Sequence, residues 1–131
     1  LLVDVQRVRV ELLRAARKAG AAQCMAFVRT RRLGADIRLP VAVAERERTL
    51  ARRMLEARQL GPAPYFTSGT SNLSGAIVGK VIEATGLDGV RVRQAIDNKG
   101  LDADRCAVTI ALIDAALAAS ETERQAILSN L

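Results

Sequence analysis

The chain has 131 residues, half of them apolar but only 2% aromatic, and it carries 20 Lys+Arg against 14 Asp+Glu, a formal charge of +6. That length holds one hydrophobic core, which must be built from Ala, Leu, Val and Ile, side chains that suit closely packed helices. The absence of histidine excludes every Ser/His or Cys/His catalytic arrangement and removes the commonest general base and metal ligand.

In chain order, Leu1, Val5, Val8, Leu12 and Ala16 recur at helical spacing. Asp4 lies early and Arg14, Arg17 and Lys18 late, as the helix dipole prefers, and Gly20 stops the helix. A chain that opens inside such a pattern reads as a fragment. A second helix over 21–32 puts Cys24, Phe27 and Val28 on one side and ends in Arg29, Arg31 and Arg32 before Gly34. It pairs with the first as an αα-hairpin.

Residues 33–43 lose the periodicity and contain Pro40, which suits the first turn of a new helix; they read as a linker. A charged helix follows over 41–60, with Leu50, Met54 and Ala57 inward and Glu45, Arg48, Arg52 and Glu56 spaced for pairing along one face. Gly61 and Pro62 end it. Two prolines, Tyr65, Phe66 and a Ser/Gly-rich run over 67–71 then form a loop. The expected organisation is an N-terminal helical group over 1–60, a loop over 61–72 and a four-helix group over 73–131, within one compact unit.

In that last group, Leu73, Ile77, Val81 and Ala84 line a helix stopped by Gly86. Asp88 caps a helix bearing Val92 and Ile96 that ends near Gly100. Asp102 caps one with Cys106, Ile110, Ile113 and Leu117 inward, and Ser120 with Glu123 forms a capping box for a last helix. Leu87-Asp88 and Leu101-Asp102 repeat one device, an apolar residue and an acidic cap after a helix-ending glycine. The fold class is therefore all-α: about seven short stacked helices in a helical-repeat or helix-turn-helix-like orthogonal bundle.

Cys24 and Cys106 are far apart among apolar or small neighbours, so unpaired thiols and a reducing cytoplasm are expected. No apolar run is long enough to span a bilayer, and nothing at the start resembles a cleavable leader. The positive charge suits polyanionic partners without choosing among them.

Residues 81–96 read as helix, glycine turn and second helix. In a DNA-binding corner of that kind Arg91, Arg93, Gln94 and Lys99 would meet base edges or phosphates. Four residues before the turn glycine, however, where a small residue lets the helices approach, stands Ile82, and a structural corner is the preferred reading. Arg14, Arg17 and Lys18 with Arg29, Arg31 and Arg32 would make a phosphate-binding patch if the hairpin brought them together; solvated helix ends are the blander account. The Ser/Gly run lacks the lysine and preceding strand of a phosphate-binding loop. Asp102, Asp104, Glu121 and Glu123 lie in helix first turns, where capping accounts for them. No catalytic residue, metal ligand or cofactor is assigned.

Leu50-Ala51-Arg52-Arg53-Met54, Gly61, Ala84-Thr85-Gly86-Leu87 leading to Val90 and Val92, and the apolar helix around Ile110 to Ile113 give residues 50–131 a further meaning. This stretch resembles the C-terminal part of an uncharacterised family of HEAT-like helical-repeat proteins of alphaproteobacteria. The resemblance implies a scaffold or regulatory interaction module. The expected function is thus a non-enzymatic helical module with a protein partner, the alternative being a DNA-binding transcriptional regulator that uses residues 77–99. The oligomeric state is not readable from the sequence.

Overall fold

The structure, a computed structural model, describes residues 2–35, 37–59 and 73–128. These residues form seven α-helices and no strand: α1 (Leu2–Ala19), α2 (Ala21–Thr30), α3 (Val41–Gln59), α4 (Gly75–Thr85), α5 (Gly89–Ile96), α6 (Asp102–Ala118) and α7 (Glu121–Leu128). The fold is all-α, as composition and punctuation require. The expected loop over 61–72, with its Ser/Gly run, lies outside the described residues, as does Leu131.

Local chemistry sets most helix ends. Asp88 accepts from the Arg91 N–H at 2.9 Å at the start of α5, and Ser74 accepts from the Ile77 N–H at 3.3 Å at the start of α4, each satisfying a donor that the first turn leaves free. Gly86 closes α4 at φ 71°, the left-handed conformation a side chain disfavours. Ser120 Oγ accepts from the Glu123 N–H at 3.4 Å before α7. Two expected ends differ. Asp102 does not cap α6: Leu101 takes the extended cap conformation and leaves Asp102 as the first helical residue, where its charge still meets the positive dipole end. And α2 stops at Thr30 because Arg31 itself turns left-handed, at φ 60°.

α6 organises the interior by packing against α1 and α2 on one side and α4, α5 and α7 on the other. Its Cys106, Ile110 and Ile113 join Val8, Val10, Leu12, Leu13, Ala16, Met25 and Phe27 in one cluster. Its Val108, Ala111, Leu112 and Ala116 join Ile77, Val78, Val81, Val92 and Ile127 in a second. A helix apolar on two faces is a buried helix. The single stripe expected from Cys106 to Leu117 was only half of what α6 buries. Each fully buried Leu or Ile in these clusters contributes about 2 kcal/mol.

The thiol expectation is overturned. Cys24 and Cys106 form a disulfide between α2 and α6, with their Cα atoms 5.9 Å apart and both residues buried. Residues 82 apart in the chain are brought together because α2 and α6 press the same cluster; their spacing in the sequence carries no sign of it. Two inward assignments also change. Met54 is exposed, and among the described residues of α3 the buried ones are Val43 and Leu50, seven apart and on one face; in α4 Ala84 is exposed and Val78 is buried instead.

Candidate interaction surfaces

The corner at Gly86 is built from the inside. Val92 is buried at its centre, and Ile82, Leu87 and Ile96 pack around the same cluster. Ile82 thus acts as the wedge between α4 and α5, its Cδ1 lying against Gly89. Arg91, the first of the four expected DNA readers, is turned toward the protein. Its Nε and Nη2 donate to the two carboxylate oxygens of Asp104 at 2.9 and 2.8 Å. Such a bidentate pair fixes the guanidinium plane, and the hydrogen bonds from Arg91 to Asp104 hold its pKa above the usual arginine value. Asp104 is only 7% exposed, so its role is this pair rather than the capping its position suggested. Arg93, Gln94 and Lys99 are exposed on the same corner.

The two arginine-rich groups of the hairpin do not converge. α2 folds back along α1, so Arg17 and Lys18 sit beside the turn at Gly20, whereas Arg29, Arg31 and Arg32 sit at the far end of a ten-residue helix, about 15 Å away along its axis. Arg14 is committed to Asp114 of α6 at 2.7 Å. Arg29, Arg31 and Arg32 are exposed, and Arg9 of α1 is half-buried. Burial pulls the Arg9 pKa down to about 10, and repulsion from Arg31 adds to the effect. The sequence held a sign of this arginine: in the row Val5, Arg9, Leu12, Ala16 it stands where the apolar periodicity calls for leucine.

Among the described residues α3 packs on α1 and on no other helix, and it is tied to α1 by charge. Arg46 donates to Glu11 at 2.6 Å and Arg53 to Asp4 at 2.9 Å, and the latter hydrogen bond holds the Asp4 carboxyl below its ordinary 3.8. These pairs were missed because they cross between helices, while sequence reading favours neighbours on one helix. Residues 51–56 of α3 are all exposed. They include Met54 and Leu55, the latter 60% exposed.

At the end of α6, Arg124 of α7 donates to the carbonyls of Ala116 and Ala119 at 3.0 and 3.2 Å, a side-chain cap that adds to the bond Ala116 O accepts from the Ala119 N–H. Among the described residues no three His, Cys, Asp or Glu gather as a metal-binding group, and no helix is long and apolar enough to cross a membrane. No family model, no curated protein and no solved structure matches the chain.

Proposed function

We propose that the chain is a non-enzymatic helical interaction or regulatory module whose partner is a protein. The observation that carries this reading is the second half of α3. Residues 51–56 are all exposed and bear Met54 and Leu55; among the described residues this stretch is held to α1 by the Arg53–Asp4 pair without a buried apolar side chain, and most helical stability comes from a packed apolar face. An exposed apolar pair among charges suits a partner's surface. Val90 and Leu101, also exposed, offer a second apolar contact beside the corner.

Regulation of transcription through DNA binding is the second reading, supported by the exposure of Arg93, Gln94 and Lys99. The pairing of Arg91 with Asp104 weighs against it, since a reader arginine needs its fork free for guanine. The buried Cys24–Cys106 bond removes the ground for a reducing cytoplasm and supports an oxidising compartment instead.

A pull-down with and without nuclease, using the native chain, Met54→Glu/Leu55→Glu and Arg93→Ala/Lys99→Ala, tests both readings. The module reading expects capture of protein that survives nuclease and is lost in the α3 variant. Capture abolished by nuclease, together with tight, sequence-selective duplex binding that disappears in the Arg93/Lys99 variant, would show the chain to be a DNA reader.

A further inference from the structure

One face of α1 carries Glu11, Arg14, Ala15, Lys18 and Ala19, at the i, i+3, i+4, i+7 and i+8 spacing that keeps residues in line. The two alanines leave that face low, and a cleft of about 600 Å³ lies between it and the chain that leads into α3. Across from the alanines the cleft is lined by Ile37, Leu39 and Val43, which pack on the cluster shared by α1, α2 and α6. The floor is thus apolar, and the charges around it are unequal. Glu11 is held by Arg46 at 2.6 Å and Arg14 by Asp114 at 2.7 Å. Lys18 and Arg38 also line the cleft; both are exposed, and among the described residues neither belongs to an ion pair. Pro40 drives Leu39 to extended backbone, and among the described residues no hydrogen bond takes the N–H or C=O of Arg38 or Leu39.

We infer that this cleft is a docking groove for an extended acidic peptide in which carboxylate and apolar side chains alternate. The helix sets the size of the occupant. From Glu11 to Ala19 α1 rises about 12 Å, which about four residues of extended chain span at roughly 3.3 Å each. Successive side chains of such a chain point to opposite faces, so the apolar ones meet the floor of alanines, Ile37, Leu39 and Val43. The carboxylates between them meet Lys18 and Arg38, two cations with no acid of their own. The backbone groups of Arg38 and Leu39 pair with those of the peptide, as they would with an added strand. A duplex presents phosphates without apolar side chains, and an alkyl carboxylate brings no backbone donors. The groove lies at the start of α3 and the face at 51–56 in its second half, so neither depends on the other.

The test uses the intact chain with its disulfide formed and a labelled, end-blocked hexapeptide of alternating aspartate and leucine. Fluorescence anisotropy should show saturable binding with a Kd on the order of 100 µM, the range of a contact this small. Amide spectra should shift at Lys18, Arg38 and Leu39, with slower hydrogen exchange at the last two. Peptides with lysine for aspartate, with serine for leucine, or with N-methylated backbone amides should each bind at least tenfold more weakly. Lys18→Glu/Arg38→Glu changes only exposed side chains; it should lose the aspartate peptide and gain the lysine one. Ala19→Phe should block both by filling the groove. Met54→Glu/Leu55→Glu should bind the peptide as the native chain does, which separates this groove from the face at 51–56. Absence of saturable binding, equal binding of the aspartate and lysine peptides, or undiminished binding of the N-methylated peptide would overturn the assignment. So would displacement of the labelled peptide by decanoate or duplex DNA at lower concentration than the unlabelled peptide requires.

Discussion

Breaking the Cys24–Cys106 bond isolates one large term in the stability of this fold. The bond closes a loop of 82 residues, and restricting the unfolded chain over that length is worth about 4.5 kcal/mol at 25 °C in the chain-entropy account. A domain of this size has a total stability of roughly 5–15 kcal/mol, so reduction removes a large share of it. Because both sulfurs are buried in the α1–α2–α6 cluster, reduction leaves the apolar packing in place and acts mainly on the unfolded chain. Urea unfolding with and without a thiol reductant reads the effect. The midpoint should fall and the slope should rise, since the reduced chain expands further and exposes more surface. At roughly 3–4 °C per kcal/mol the melting temperature should drop by about 15 °C. A loss under about 1 kcal/mol, or two titratable thiols in the denatured chain before any reductant is added, would refute the reasoning.

Other perturbations have definite signs. Arg9→Met should stabilise the chain: burial pulls the Arg9 pKa down to about 10, a cost of charge burial that its part exposure limits to on the order of 2 kcal/mol. Since the depressed pKa belongs to a base, the native chain carries this cost at neutral pH and sheds it as pH rises past about 10 toward the ordinary arginine range, so the gap between variant and native melting curves should narrow there. Asp4 has the opposite sense. Its folded pKa lies below 3.8, so its contribution is present above that value and lost as pH falls beneath it, and Asp4→Asn should flatten that part of the acid limb. Asp104→Asn should break the bidentate pair and free Arg91, read as loss of guanidinium proton protection in NMR together with a lower melting temperature; unchanged protection would mean that the pair does not hold Arg91 in solution.

Residue order alone determined most of the points where helices begin and end, though not the start of α6 or the end of α2. Asp88 and Ser120 are caps whose oxygens meet the first-turn N–H groups, and Gly86 turns left-handed where a side chain would resist. These are interactions between residues three or four apart, so they are legible without a fold. The helix-turn-helix-like corner was legible too, down to Ile82 as the residue that departs from a DNA-binding pattern, because its spacing is local. Pairings across the fold were decided only by tertiary structure. Cys24 meets Cys106, Arg91 meets Asp104 and Arg124 closes the end of α6 because α6 is buried on two faces and gathers the other helices around it. The apolar period of α6 names the buried positions but not which helix each one faces. Arg9 stands between the two cases: its place in the apolar row is visible in the sequence, but the burial that lowers its pKa is decided only by how the helices pack.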